Sequence, residues 1–146
     1  DIATHNSVIA TGCRPLYPDI PGAKEYGITS DDFFSLKKPP GNTLIVGGSY
    51  IALECAGVLS QLGYPVTLMV RSRILRSLDS VFSSIIESDL ICRGINFIYG
   101  NTPSKLEKCK DNNEIEVYYN DKISRYDTVL FGIGRKPNLL SLNLPK

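Results

Sequence analysis

The 146-residue sequence has no tryptophan, one methionine and one histidine, His5. Its four cysteines, Cys13, Cys55, Cys92 and Cys109, lie far apart and form no C-x-x-C pair. A zinc-type ligand set is therefore missing, as are a Cys/His pair and a Ser/His/Asp arrangement for nucleophilic catalysis. The cysteines read as free thiols of a reducing compartment, with Cys55 and Cys92 expected in the core. Their separation removes a redox-active dithiol from this chain. No apolar run approaches the roughly 20 residues that span a bilayer, and the opening Asp1-Ile2-Ala3-Thr4-His5-Asn6 lacks the basic and apolar regions of a secretory signal. A soluble, cytoplasmic protein is expected, with a mitochondrial form left open. Charge of one sign is also lacking: 16 Lys+Arg against 15 Asp+Glu leave a net charge of +1, too little for a global field that gathers nucleic acid. Any anion site must come from local clustering.

What is present is a composition for one globular unit, 42% hydrophobic and 21% charged. A chain this long buries about 70% of its unfolded surface, so it needs no disulfide or metal staple. Ser7-Val8-Ile9-Ala10 reads as a short strand ending at Thr11-Gly12, followed by a connector with Pro15, Pro18 and Pro21. A short helix capped by Ser30 is expected before a second connector, Pro39-Pro40-Gly41-Asn42. Thr43-Leu44-Ile45-Val46 then predicts a strand. Apolar residues at Ile51, Cys55, Val58, Leu59 and Leu62 predict a helix ending at Gly63, and Pro65 opens a second strand through Val70. This is a βαβ unit. A further helix from Asp79 or Ser80 to Gly94 is expected to bury Phe82, Ile85, Ile86, Leu90 and Ile91, before a strand over 95–99. Polar β-like pieces at 105–109, 114–119 and 122–125, joined by turn sequences, read as an antiparallel meander. The apolar run Thr128-Val129-Leu130-Phe131 completes a parallel sheet.

The chemistry is concentrated where these strands end. Gly47-Gly48-Ser49-Tyr50-Ile51-Ala52 stands after a strand and opens a helix, in the position of the dinucleotide fingerprint G-x-G-x-x-G/A. Gly47 permits a tight turn, and a small residue at 49 lets the backbone approach a pyrophosphate. Ala52 lets helix pack closely on strand, and the helix N-terminus offers unpaired N–H groups to an anion. Ser49 replaces the usual second glycine and could donate to phosphate. The alternative is an ordinary strand-to-helix turn. An NAD site places Asp or Glu at the end of the second strand, but here Arg71 begins Arg71-Ser72-Arg73-Ile74-Leu75-Arg76. Forked guanidiniums suit the 2′-phosphate of NADPH, unless this is a solvated basic loop. Gly132-Ile133-Gly134-Arg135 either lines the same crevice or is a turn leaving the sheet. Tyr50 and Glu54, one helical turn apart, either face the nicotinamide end or are a packing residue and a surface charge. Tyr118 and Lys122 match a Tyr-x-x-x-Lys dehydrogenase spacing, yet Asn120-Asp121 between them predicts a turn, not the shared helical face that chemistry needs.

Taken together, Ile9-Ala10-Thr11-Gly12, Ile20-Pro21-Gly22, Ser30-Asp31-Asp32, the run from Val46 to Gly57, Met69-Val70-Arg71-Ser72, Leu75-Arg76 and Ile133-Gly134-Arg135 make a family resemblance. The sequence resembles the NADPH-binding domain of high-molecular-weight, glutathione-reductase-like thioredoxin reductases and thioredoxin glutathione reductases, within the pyridine nucleotide-disulfide oxidoreductases. The resemblance implies an α/β, Rossmann-like three-layer domain with a parallel sheet, flanking helices and a β-meander. Residues 1–12 would end an FAD-binding domain, 13–135 form the NADPH-binding domain, and 136–146 return toward the FAD-binding domain. It further implies a homodimeric flavoprotein that passes electrons from NADPH through FAD to a dithiol and then to thioredoxin. Gly47, Gly48, Ser49 and Ile51 would line the pyrophosphate and nicotinamide side, Tyr50 would be the ring displaced by nicotinamide, and Glu54 would contact its amide region. Arg71, Ser72 and Arg76 would hold the 2′-phosphate, with Ile133, Gly134 and Arg135 beside the cofactor and Thr11 and Gly12 at FAD. The family's FAD fingerprint, redox-active cysteine pair, C-terminal redox tail and His-Glu dyad have no counterpart here, and Gly132 to Asn138 is closer to the broader disulfide reductases. The chain is thus expected to bind NADPH but not turn over, with a glutathione-reductase-like domain or a stand-alone NADPH-binding sensor as the alternatives.

Overall fold

The structure, a computed structural model, describes residues 3–143. In chain order its elements are β1 (Cys13–Pro15), α1 (Ala23–Tyr26), β2 (Gly27–Thr29), α2 (Ser30–Phe33), β3 (Thr43–Val46), α3 (Tyr50–Gln61) and β4 (Val66–Val70). They continue with α4 (Ser80–Cys92), β5 (Asn96–Tyr99), β6 (Lys105–Lys108), β7 (Ile115–Tyr119), β8 (Lys122–Tyr126), β9 (Thr128–Phe131), β10 (Arg135–Pro137) and a 3-10 turn at Leu140–Leu142. Five strands form a parallel sheet in the order β2-β9-β3-β4-β5. The meander β6-β7-β8 is antiparallel, and β1 pairs with β10 as a separate ribbon.

The three layers follow from alternation along the inner strands. Ile45, Leu68 and Leu130 point to the helical face, where they pack with Ala52, Leu53, Cys55, Ala56, Leu59 and Leu90. Leu44, Val46, Met69, Val129 and Phe131 point the other way, against Leu106, Val117, Tyr119 and Tyr126 of the meander. Both faces of β3, β4 and β9 are therefore covered, which is why these strands are apolar throughout. Burial pushes the Cys55 thiol pKa up, as suits a packing residue. Both long helices stop in the same way: at Gly63 and Gly94 the backbone turns left-handed, and the next residue, Tyr64 or Ile95, returns a hydrogen bond to Leu59 or Leu90.

The predicted βαβ unit, meander and final strand are present, with differences of a residue or two at their ends. Tyr118 and Lys122 lie on adjacent strands across a turn in which Asn120 and Asp121 both have positive φ, so they share no helical face. Other expectations are corrected. Ser7 to Ala10 is not a strand; among the described residues nothing pairs with it, and Val8 is exposed. The cap of α2 is Thr29 rather than Ser30, with Thr29 and Asp32 forming a reciprocal capping box. Val58 and Leu62 lie at the outer margin of α3, and Cys92 is exposed. On α4 the expected face is largely wrong. Phe82 and Ile85 are 64% and 61% exposed and Ile91 is half exposed, while Leu90 and the small Ser83 meet the core and Ile86 packs at its edge. A serine on the inner side lets the helix lie close, and its hydroxyl is satisfied by the carbonyl of Asp79 at 3.2 Å.

This burial makes a contrast that urea unfolding can measure. Leu90→Ala should cost about 2–5 kcal/mol of stability, whereas Phe82→Ala should stay within about 0.5 kcal/mol.

Candidate functional site

The strands β3, β4 and β5 run outward in sequence, and the chain then returns to place β9 on the other flank of β3. The segments following β3 and β9 consequently diverge at the carboxyl edge of the sheet, opening a crevice where open α/β sheets bind ligands. The backbone ladder extends one residue into it: Gly47 N–H donates to Met69 O at 2.9 Å, and Gly132 N–H to Val46 O at 2.8 Å. At φ 131° Gly47 holds a conformation that side chains rarely adopt, and a Cβ there would run into the Gly132 carbonyl. The neighbouring fit is just as close, since a Cβ on Gly132 would lie 2.8 Å from that of Ala52. The expected small-residue contact between helix and strand is thus realised by Ala52 against Gly132.

Ser49 is the N-cap of α3. Its hydroxyl accepts from Ala52 N–H at 3.3 Å and donates to Gly132 O at 2.7 Å. The proton that the sequence reading offered to a phosphate is already engaged in joining two strand-end loops. The first helical bond runs from Leu53 N–H to Ser49 O, so the N–H groups of Tyr50 and Ile51 have no acceptor among the described residues. These donors, with the positive end of the helix dipole, leave an anion-seeking helix start.

The basic segment after β4 folds over this turn. Leu75 N–H donates to Gly48 O at 2.7 Å, and Ile74 is fully buried beneath it. Room at residue 48 is correspondingly small: a Cβ there would stand 3.0 Å from Ile74 Cα and 3.1 Å from Arg73 O. Arg73 donates to the carbonyls of Arg76 and Leu78. Among the described residues, no carboxylate forms an ion pair with Arg71, Arg73 or Arg76, and the side chains of Arg71 and Arg76 have no hydrogen-bond partner. Their charge is therefore uncompensated at the mouth of the crevice.

The crevice has a volume of about 760 Å³, within the range of small-molecule sites. It brings together Gly47, Gly48, Ser49, Tyr50, Arg71, Ser72, Arg76 and Ile133 of the expected residues. Ile51, Glu54, Gly134, Arg135, Thr11 and Gly12 are not in its lining. Glu54 opens on a shallow groove between α3 and α4 with Leu53, Gly57 and Ile86. Gly134 accepts from Leu16 N–H at 2.9 Å, and Gly12 accepts from Asn138 N–H at 2.9 Å. Arg135 turns away to Cys13, donating to its carbonyl at 2.9 Å and its sulfur at 3.0 Å, with Asp31 3.7 Å away. The sulfur contact raises the guanidinium pKa further, so this charge is permanent.

Sequence reasoning missed Asn101, Thr102 and Pro103 after β5, Pro18 and Ile20 from the proline-rich connector, and Leu75 and Leu78 within the basic loop. The first group had a usable signal, because a segment following a parallel strand emerges at the same sheet edge. The connector residues had none, being placed only by the tertiary fold. Among the described residues no group of His, Cys, Asp and Glu is arranged to hold a metal ion, and no helix is long and apolar enough to cross a membrane.

The double role of Ser49 carries a measurable cost. Ser49→Ala should lower stability by about 1–2 kcal/mol, through the lost cap and the Gly132 carbonyl left without its donor; thermal or urea unfolding reads this directly.

The family model described as pyridine nucleotide-disulphide oxidoreductase matches residues 1–144. The chain is 52% identical over 139 residues to a thioredoxin reductase of Plasmodium falciparum (isolate FCH-5), covering 94% of this chain and 25% of that protein. It is 46% identical over 142 residues to thioredoxin reductase 2, mitochondrial, of Drosophila melanogaster, covering 94% and 28%. The chain thus spans about a quarter of the length of these relatives. Among solved structures, the HOCl-induced flavoprotein disulfide reductase RclA of Escherichia coli superposes with a TM-score of 0.83 at 27% identity, covering 92% of this chain and 31% of that one. An engineered water-forming NADPH oxidase bound to NADPH superposes with a TM-score of 0.78 at 25% identity, covering 90% and 31%. The substitutions that define that oxidase introduce an adjacent Arg-Ser pair and a further arginine, and replace an aspartate by alanine.

Proposed function

The chain belongs to the pyridine nucleotide-disulphide oxidoreductase family, and from that premise we propose that it is the NADPH-binding domain of a flavin-dependent disulfide reductase of the thioredoxin reductase type. The observation that carries the reading is the pair of uncompensated guanidiniums, Arg71 and Arg76, on a loop bonded to the glycine turn that opens α3. A dinucleotide phosphate needs donors and positive charge at two places, and the crevice supplies both. Its lining holds no acid to repel the ligand. The close backbone at Gly47 and Gly48, with the free N–H groups of Tyr50 and Ile51, suits the pyrophosphate. Arg71, Ser72 and Arg76 suit the adenosine 2′-phosphate. The Arg-Ser pair and further arginine of the NADPH-bound oxidase support that assignment by analogy. Tyr50, 67% exposed at the crevice, is the ring placed toward the nicotinamide, with Ile133 beside it in the crevice wall.

When bound, the reduced nicotinamide supplies the hydride that the flavin of the whole enzyme accepts. The residues of this chain bind and orient it. Thr11 and Gly12 then belong with the FAD-binding domain, residues 13–135 with NADPH, and 136–146 with the return. The identity to thioredoxin reductases supports thioredoxin as final acceptor and a longer parent chain; a homodimeric flavoprotein with FAD-binding and dimerisation domains is what the family resemblance implies for that parent. The protein is proposed to work in a reducing compartment, the cytoplasm, with a mitochondrial form as the alternative.

Calorimetry should show NADPH binding about 100-fold or more tightly than NADH, given two charged hydrogen-bonding groups on the extra phosphate. Arg71→Ala combined with Arg76→Ala should erase most of that difference; equal affinities in the unmutated protein would falsify the assignment. No thioredoxin reduction is expected from this chain alone. The preference should also shrink below pH about 6, where a phosphate monoester dianion takes up a proton and becomes a monoanion. The sign follows from the ligand: it loses negative charge while the arginines keep theirs, so NADPH binding weakens and NADH binding stays constant.

A further inference from the structure

The three guanidiniums of the basic loop do not have equivalent surroundings. One nitrogen of Arg73 donates to Arg76 O at 2.9 Å and to Leu78 O at 3.2 Å, which uses both of its protons. Neither carbonyl has another partner among the described residues. Arg71 and Arg76 keep all their donors free. Arg73 thus satisfies backbone acceptors that would otherwise face only water, and it does so across the part of the loop that carries Arg76.

That part has little else to hold it. Up to Leu75 the loop is fixed by the buried Ile74 and by the bond from Leu75 N–H to Gly48 O. Beyond it, Arg76, Ser77 and Leu78 are exposed, and the one backbone bond joining them to the rest of the loop runs from Leu78 N–H to Leu75 O at 2.8 Å. Leu75 itself has φ 46°, a left-handed conformation that a leucine holds only when its neighbours impose it. The Arg73 clasp bridges over this residue, tying position 73 to positions 76 and 78. Without it the segment would gain freedom where a fixed guanidinium matters most.

We infer that Arg73 is a positioning residue for cofactor specificity: its guanidinium clasps the carbonyls of Arg76 and Leu78 and so presents Arg76 to the 2′-phosphate, without itself touching that phosphate. This rests on the NADPH reading above. It assigns the middle arginine a backbone role that its position in a basic run does not suggest.

The test is a double-mutant cycle on the ratio of NADPH to NADH affinity, read by calorimetry. Arg73→Met keeps the apolar stem and removes the clasp. It should reduce the ratio about tenfold, the equivalent of returning freedom to one backbone residue, and leave NADH affinity unchanged. In an Arg76→Ala background the same change should have no further effect, because the residue it positions is gone. A general loss of structure would instead weaken both nucleotides, and that result overturns the inference. So does a full effect of Arg73→Met in the Arg76→Ala background, which would make Arg73 a direct phosphate ligand, and so does an unchanged ratio in the single variant. If the unmutated protein shows no preference for NADPH, the 2′-phosphate reading fails first and takes this inference with it. A retained preference that Arg71→Ala and Arg76→Ala abolish, but Arg73→Met does not touch, defeats the clasp alone.

Discussion

The carbonyl of Gly132 is the point at which fold and crevice depend on one another. It receives the Ser49 hydroxyl at 2.7 Å and occupies the space that any side chain at residue 47 would need. Two loops from strands adjacent in space but far apart in sequence are thereby locked together at the place where they begin to separate. Were residue 47 larger, the loops would be forced apart and α3 would lose its seat on β9. Were Ser49 unable to cap, the helix start would lose both its own N–H partner and its tie to the opposite loop. The turn is therefore specified by packing as much as by any ligand. This explains how a serine stands where a glycine is more usual: the position needs a small residue, and here its hydroxyl is spent on the protein.

Electrostatics adds a second constraint of a different range. The chain is close to neutral overall, and among the described residues the acids that form ion pairs, Asp31, Asp89, Glu107 and Glu116, do so with basic side chains outside this loop. The basic loop escapes this pairing. Uncompensated like charges repel, so the loop must be held by other means. The buried Ile74, the bond to Gly48 and the backbone clasp of Arg73 meet that need. A short helix start with two open N–H groups lies directly beneath. The result is a local field for anions in a molecule with almost no net one.

Much of this was legible in the sequence, for reasons that can be stated residue by residue. Strands covered on both faces leave an unbroken apolar record, so β3, β4 and β9 were evident, and left-handed glycines marked where both helices stop. Seven of the eight crevice residues that the sequence identified lie within two residues of a strand's end or at the start of α3, and the eighth, Arg76, lies six residues beyond β4. Amphipathic reasoning failed on α4 because the sheet accepts only a narrow stripe of that helix, and a serine fills part of it while Phe82 and Ile85 remain outside. Three-residue strands such as β1, β2 and β10 carry no period to detect. Arg135 shows the same limit at a finer scale. Its place after Gly134 suggested the crevice, but pairing of β10 with β1 decides its direction, and that pairing spans more than a hundred residues.

The ribbon formed by β1 and β10 also bears on how the crevice relates to the remainder of the chain. Cys13 lies opposite Pro137 and Pro15 opposite Arg135, so the segments on either side of the sheet domain run antiparallel along one another. Arg135 reaches across the ribbon to Cys13, and Asp31 at the start of α2 meets both Arg14 and Arg135. The ribbon is consequently bonded to the same end of the molecule that carries β2, the sheet edge beside β9. Through β9 it is continuous with Gly132 and Ile133 in the crevice wall. A displacement of the ribbon would act on Gly134, whose carbonyl holds Leu16, and from there on Ile133 two residues after the strand. The guanidiniums of Arg71 and Arg76 sit on a different loop, which is held by the buried Ile74 and by the bond from Leu75 N–H to Gly48 O. The two walls meet at Ser49, whose hydroxyl donates to Gly132 O at 2.7 Å, so the charged loop bonded to Gly48 and the wall joined to the ribbon are tied together beside the glycine turn.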